Sequence, residues 1–369
     1  MRRPVTPKSG DLRALALALA IGATGGAAFA WARMPLAWMM GAMCLTTASA
    51  LAGMKPRVPP PLRALMVAVL GVMLGSAFRP EMLDRAGHWG VSLSALPLYL
   101  SLAAALVVVY FRRFARYDRT TAYFAAIPGG LNEMILVGSA MGGDDRTIAL
   151  THASRILLVV LIVPFWFRLV AGYVPPDGGV GAAFAPLATV PAFDLLVLTA
   201  CGAAGYFAAR ALRLPAAALT GPMALSAVAH LAGLTESKPP SEFIVIAQVV
   251  VGSAIGCRFA GVPVKRVLRA MAVAAGSTVL MLTVTVAFSL SLSAATGLPT
   301  QALVLAFAPG GLAEMSLIAL ALGVDPAFVS THHVVRIFLV VVLAPLVWRA
   351  LARALARRSP ATRQPAKGD

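Results

Sequence analysis

The feature that most constrains this chain is a gapless internal repeat, in which residues 128–164 return as residues 309–345. Both copies read Pro-Gly-Gly-Leu-x-Glu-Met, and both continue with a Gly, an Asp and a His-x-x-Arg-Ile motif. The shared polar residues lie in or beside strongly apolar stretches, where an ionisable side chain costs free energy. Because the chain keeps these residues twice, we interpret them as important to its structure or function.

The repeat extends over nearly the whole chain. Arg33-Met-Pro35 returns as Arg213-Leu-Pro215, and two glycines spaced four apart near 71–75 return near 252–256. Such glycines are typical of close helix–helix packing. We predict a membrane repeat over 1–171, a linker over 172–191, a second membrane repeat over 192–352 and a basic cytoplasmic tail over 353–369.

Composition indicates the class of protein. The chain is 59% hydrophobic and only 12% charged, with a mean hydropathy of +0.84. In a soluble domain, roughly a quarter of the residues are charged. The apolar runs in this chain reach about 20 residues, which is the length of a helix that crosses a bilayer. We therefore predict an all-α polytopic membrane protein, since barrel strands are shorter and alternate in polarity.

The net charge of +17 does not indicate a nucleic-acid partner, because the basic residues lie mainly in short loops and in the tail. Basic loops mark the cytoplasmic side of a membrane protein. We predict a multi-pass protein of the bacterial cytoplasmic membrane with both termini inside.

The same rule bears on the orientation of the two halves. If the Pro-Gly-Gly segments dip in and return, ten spans give inverted halves, with 24 basic residues inside and five outside. If these segments cross, twelve spans give parallel halves, with 19 inside and ten outside. The rule favours inverted halves, each with about five spanning helices plus a broken or re-entrant helix, although a broken helix is also able to cross.

The Pro-Gly-Gly motif predicts an interruption of each helix. Proline lacks a backbone donor, and glycine carries the highest backbone cost in a helix and permits positive φ. Non-helical backbone at membrane depth persists only where protein packs around it or where it lines a watery cavity. The glycines are Gly129, Gly130, Gly310 and Gly311. Two interpretations stay open: a tight kink between packed helices, or a half-helix N-terminus that attracts an anion.

Glu133 and Glu314 fall in the first turn after each break. One interpretation is a capping carboxylate at a helix N-terminus. The other is a proton- or cation-binding group, since acids within membranes mark ion paths. Asn132 has Ala313 as its counterpart, which predicts a single substrate site biased toward the first half.

The pairs His152–Arg155 and His333–Arg336 each lie on one helical face. One interpretation is an arginine that reaches the interface beside a satisfied histidine. The alternative is a His/Arg face that meets the glutamate of either half or an anionic substrate.

The two Pro-Gly-Gly-Leu-x-Glu-Met copies, each followed by Gly, Asp and His-x-x-Arg-Ile, resemble the AbrB-type family of bacterial membrane proteins. The resemblance covers about residues 12–352 and implies a duplicated membrane region. Members of that family are variously described as transporters, as regulators of aidB expression, or as ammonia monooxygenases. Five scattered histidines without a His-x-His motif disfavour a copper oxygenase.

These observations together favour a secondary transporter or permease of a small, anionic metabolite, working by alternating access around the two breaks. The alternative is a membrane regulator that affects gene expression indirectly, without transport. We expect no enzymatic activity and no catalytic residues, and neither a cofactor nor a metal. The expected partners are the lipid bilayer, the substrate, a coupling proton or cation, and a second copy in a homodimer, but no nucleic acid.

Overall fold

The computed structural model describes residues 9–82, 87, 89–169 and 184–358. Within these ranges the chain forms fourteen α-helices and no strand. Much of the predicted linker and most of the predicted tail lie outside the described residues. The helices of the first half are α1 Ser9–Trp31, α2 Ala37–Leu51, α3 Pro60–Gly75, α4 Trp89–Tyr110, α5 Arg119–Ala126, α6 Leu131–Ala140 and α7 Asp145–Leu169.

The second half contains seven helices in the same order. These are α8 Ala192–Ala211, α9 Ala217–Leu231, α10 Ser241–Gly256, α11 Val264–Thr296, α12 Thr300–Phe307, α13 Leu312–Ala321 and α14 Pro326–Arg358.

Unusual backbone conformations recur in the two halves. Arg33 and Leu36 have positive φ, and so do their counterparts Arg213 and Ala216. This conformation is uncommon for residues other than glycine, so equivalent segments share even their unusual local structure.

Seven helical stretches among the described residues are long and apolar enough to cross a membrane. They are Gly10–Trp31, Trp89–Ala115, Asp145–Phe167, Ala192–Ala211, Ser241–Phe259, Val264–Thr296 and Pro326–Ala354. The shorter helices α2, α3, α9 and α13 are apolar as well. The prediction of an all-α polytopic membrane protein is confirmed.

The two halves exchange contacts reciprocally. Helix α2 packs against α10 of the other half, and α3 packs against α9. A Cβ added to Gly71 would meet the carbonyl oxygen of Leu219, and one added to Gly252 would meet that of Met39. The predicted close helix packing at these glycines is therefore confirmed, because only a residue without a side chain permits such an approach.

The Pro-Gly-Gly segments form helical hairpins, which we call the first hairpin (residues 119–144) and the second hairpin (residues 300–325). In the first hairpin, the backbone N–H of Asp144 donates to Thr121 Oγ1 over 2.9 Å, so the segment ends beside its own beginning. In the second, Ala302 and Asp325 line one cavity. Their arms of eight and ten residues each reach only about 12–15 Å at 1.5 Å per residue.

Candidate functional site

The first hairpin is held at its break by side chains from α7. Helix α5 ends at Ala126, and the last carbonyls of a helix have no partner within it. His152 Nε2 donates to the carbonyl oxygen of Phe124 over 2.9 Å. The Arg155 guanidinium donates to the carbonyls of residues 125–127 over 3.2–3.4 Å, and it also donates to His152 Nδ1 over 2.8 Å. The His-x-x-Arg motif thus satisfies the carbonyls that the break exposes.

The second hairpin repeats this arrangement with shorter bonds. His333 Nε2 donates to the carbonyl oxygen of Leu305 over 2.9 Å, the exact counterpart of the bond to Phe124. Arg336 donates to the carbonyl oxygens of Ala308 and Gly310, both over 2.6 Å. Its two charge-assisted bonds are therefore tighter than the bonds that Arg155 makes.

The structure places both arginines inside the protein and against carbonyls. Arg155 is 3% exposed and Arg336 is 2% exposed, so neither reaches the interface. Among these described side chains, no ion pair joins Glu133 or Glu314 to either arginine. Each guanidinium nevertheless keeps one unused donor, because Arg155 Nε and Arg336 Nε have no partner.

The glutamates fold back over the start of their own helices. Each is the third residue after an N-cap glycine, and a Cβ added to Gly130 or Gly311 would overlap the carboxylate of Glu133 or Glu314. This is the position of the acidic residue in a capping box. Both glycines have negative φ, so the motif needs them here for space and not for a left-handed backbone.

The environments of the two glutamates differ. Glu314 is 7% exposed, whereas Glu133 is only half-buried and its Oε1 lies 3.5 Å from the backbone N of Ala216 at the start of α9. The neighbouring Asn132 is exposed, and its counterpart Ala313 is buried. The chemical asymmetry noted in the sequence therefore coincides with an asymmetry of exposure.

The hairpins meet the opposite half near their breaks. Tyr99 of α4 shares a hydrogen bond of 2.8 Å with Thr285 of α11, and its ring lies 5.1 Å from that of Phe307 at the end of α12. Arg155 Nη1 lies 4.0 Å from the sulfur of Met281, one turn before Thr285. The sequence offers no motif for these contacts, because the tyrosine and the α11 residues lie in ordinary apolar helices.

Arg258 is a further residue that no motif in the sequence identified. It lies in the short turn after α10 and is half-buried, and both Glu314 and Arg63 lie within electrostatic range of its guanidinium. Its counterpart in the first half is Ala77, so a search for repeated residues passes over it. The sequence signal for Arg258 is a charged residue at the end of an apolar segment that only one of the two halves carries.

Comparison with known proteins gives the family. The sequence model of the family described as "Transition state regulatory protein AbrB" matches residues 38–352, which include all helices from α2 to most of α14. The chain belongs to the AbrB family. Two relatives extend the match over both halves of this AbrB-family protein.

The first relative is "Uncharacterized protein YhjN" of Bacillus subtilis (strain 168), which is 30% identical over 359 residues, covering 90% of this chain and 92% of the relative. The second is "Putative regulator AbrB" of Escherichia coli (strain K12), which is 24% identical over 356 residues, covering 95% of this chain and 98% of the relative. The AbrB-type resemblance of the Pro-Gly-Gly motifs is confirmed, and the family model covers most of the duplicated region.

Proposed function

We propose that this AbrB-family protein is a secondary transporter that moves a small, anionic metabolite across the bacterial cytoplasmic membrane by alternating access. One observation carries the proposal: the two hairpins share the Pro-Gly-Gly-Leu-x-Glu-Met motif and receive equivalent hydrogen bonds from the helix that follows each, but they have unlike surroundings. In α13, residues 312–319 are all buried, whereas α6 exposes Asn132, Leu136 and Ser139. Two equivalent elements in unequal environments are expected of a repeat-built carrier held in one of its two end states.

Helix contacts support the same interpretation. Helix α13 packs against α3 of the other half, but the corresponding pair, α6 and α10, has no comparable contact. An exchange of these two environments would close the first hairpin against α10 and release the second hairpin from α3. Rigid-body rocking of one part against the other is the usual way in which inverted-repeat carriers expose a central site to either side.

The hairpins support inverted halves with ten spans, and contacts between loops are compatible with that arrangement. Arg57 pairs with Asp11 over 2.9 Å, which joins two segments that the positive-inside rule assigns to the cytoplasm. At the other end, the backbone N of Leu187 donates to Glu242 over 3.0 Å, which joins two segments assigned to the outside. The hairpin geometry of residues 119–144 agrees with a segment that enters and returns.

In this proposal, residues of the two hairpins and of α7 and α14 supply the groups that bind ions and stabilise the breaks. The glycines of the two breaks allow the glutamates to lie over the helix starts, and Glu133 and Glu314 take up a proton or a cation. Arg155 and Arg336 keep the interrupted backbone at membrane depth. The unused donors on both arginines are available to an anion or to water, whereas His333 Nδ1 is the acceptor nitrogen of its ring and is available to water. Energy comes from an ion gradient or from downhill flux, and no enzymatic step is involved.

Reconstitution in proteoliposomes tests the proposal. Metabolite profiling of a deletion strain selects the compounds to be assayed for gradient-dependent flux. We expect flux to fall in Glu133→Gln and Glu314→Gln and to be lost in the double variant, whereas Glu236→Gln, in an exposed loop, serves as the matched control. Undiminished flux in the double variant would remove the proposed role of the carboxylates.

The second candidate function is a membrane regulator without transport activity, which the names of the family and of the Escherichia coli relative favour. A regulator should move none of the profiled compounds across the proteoliposome membrane. Its effect on gene expression should also survive in the double glutamate variant, whereas an effect that follows from transport should disappear with flux.

A further inference from the structure

A cavity of about 540 Å³ lies where the start of α7 faces the loop between α10 and α11. Three of its nine lining residues are arginines, and none is acidic. The lining consists of Arg146, Ala149, Leu150, Ala153, Arg258, Gly261, Val262, Pro263 and Arg266. The volume falls in the range of small-molecule sites, and three guanidinium groups around an otherwise apolar cavity would repel one another without an anion between them.

The nearest acidic groups have other partners. Asp144 accepts hydrogen bonds from the backbone N of Arg146 over 3.0 Å and from the Thr147 hydroxyl over 2.6 Å. Glu314 lies over Gly311 at the start of its own helix. Asp145 is exposed in the first turn of α7. The positive charge of the cavity is therefore only partly matched by these acids.

Arg258 links the cavity to the second hairpin. Arg146 and Arg266 are exposed, whereas Arg258 is half-buried and lies within electrostatic range of Glu314 and of Arg63. Arg63 itself has a buried Nε without a partner. An anion that enters past the two exposed arginines would thus reach Arg258 beside the start of α13.

Two of the three lining arginines have no basic counterpart in the other half, whereas Arg266 has Arg85, which lies outside the described residues. The counterparts of Arg146 and Arg258 in the other half are Ala327 and Ala77. The repeat therefore does not explain these arginines, and nothing in the architecture of the halves requires them. Arg146 and Arg258 therefore mark a feature that the duplication alone does not produce.

We propose that this cavity is an anion-binding site that takes the carboxylate or phosphate group of a small soluble molecule, with Arg258 as its principal contact. The guanidinium fork matches both groups in a bidentate manner. The inference rests on the proposed transport function, in which the cavity is the entry site for substrate at the end assigned to the cytoplasm. It names the substrate class as anionic and the first residues that the anion meets.

Binding to the full-length protein in nanodiscs of zwitterionic lipid tests the proposal. Citrate and inorganic phosphate are the anionic probes, and glycerol and ammonium are the neutral and cationic ones. We expect saturable thermal stabilisation by at least one anionic probe and by neither control. We expect Arg258→Gln to weaken its apparent Kd about 10-fold or more, Arg146→Gln and Arg266→Gln to weaken it less, and Arg210→Gln, an exposed arginine on α8, to leave it unchanged.

Two further measurements distinguish a loss of binding from a loss of structure, and a soluble anion from a lipid head group. Arg258→Lys retains the charge without the fork, so partial recovery of affinity in a variant that unfolds at the wild-type temperature excludes a purely structural loss. Nanodiscs with phosphatidylglycerol test for a lipid head group. Stabilisation that requires this lipid and ignores the soluble anions would overturn the proposal, as would equal binding by wild type and Arg258→Gln.

The assay also separates this inference from the proposed function. Anion binding without flux in proteoliposomes would leave the site in place and overturn transport. Flux that persists in Arg258→Gln with an unchanged KM, together with no anion binding in nanodiscs, would overturn the site and leave transport in place.

Discussion

The first and second hairpins show what a short sequence controls and what it does not. In both, an arginine from the following helix caps the carbonyls before the break, and a glutamate lies over its N-cap glycine. Yet α13 is enclosed by protein and α6 is partly exposed. Contacts within a hairpin thus follow from its own residues, whereas its surroundings depend on how the other half packs against it.

The largest expected effect concerns the two buried arginines. Arg336→Met leaves the carbonyls of Ala308 and Gly310 without partners in an apolar setting, and we expect it to lower the free energy of unfolding by about 3–5 kcal/mol. Arg155→Met should cost less, because the bonds of Arg155 are longer. Thermal unfolding in detergent measures both, with Arg210→Met as control. A greater loss for Arg155→Met would reverse the ranking of the hairpins.

The first glycine of each Pro-Gly-Gly motif provides a second comparison between the hairpins. A Cβ on Gly129 would press on Val340 of the other half, whereas the three atoms nearest to one on Gly310 all belong to the flexible Met315 of its own hairpin. We expect Gly129→Ala to cost about 1–3 kcal/mol and Gly310→Ala to cost less.

The double variant Gly129→Ala/Val340→Ala checks the cause of that loss. It should be more stable than the sum of the two single changes predicts, because the smaller side chain makes room for the new methyl group. Additive losses in thermal unfolding would show that Gly129 does not sense the opposite half.

Exposure of the two hairpins can be compared by cysteine labelling. In a background without Cys44, Cys201 and Cys257, we expect Asn132→Cys to react with a water-soluble maleimide about 10-fold faster or more than Ala313→Cys, because position 132 is exposed and position 313 is buried. Under alternating access, a transported compound should change both rates in opposite directions. Equal rates in all conditions would remove the asymmetry on which the proposed function rests.

The smallest effect is expected at the helix caps after the hairpins. Asp144 and Asp325 each accept backbone N–H groups, but Asp144 also accepts from the Thr147 hydroxyl, where the second half has Phe328. We expect Asp144→Ala to cost about 1 kcal/mol and Asp325→Ala somewhat less.

The same cap predicts a pH dependence. The Thr147 hydrogen bond holds the pKa of the Asp144 carboxyl below its usual value. Its stabilising contribution is therefore complete above the unfolded pKa of about 4 and is lost as the pH falls through the lower folded pKa. Thermal unfolding as a function of pH should show a smaller loss in acid for Asp144→Asn than for wild type. An identical acid profile would exclude this carboxyl as a contributor.

Much of the fold was predictable because its signals are local. Apolar runs of about 20 residues predicted the long helices, and Pro-Gly-Gly predicted an interruption that the structure shows between Ala126 and Leu131. The positive φ that glycine permits is not used at Gly130 and Gly311, whose φ values are negative and whose missing side chain leaves space for the glutamate carboxylate. Sequence spacing predicts where a backbone stops being helical but not which atoms approach it.

The sequence by itself determined the membrane class, the duplication and the interruption of two helices, because these depend on composition, periodicity and local backbone preference. Only the tertiary structure decided that the arginines hold carbonyls, that Tyr99 and Thr285 join the halves, and that three arginines surround one cavity. Those contacts connect residues far apart in the chain, and their geometry depends on how helices from both halves pack. The same packing encloses one hairpin and leaves its counterpart in the other half partly exposed.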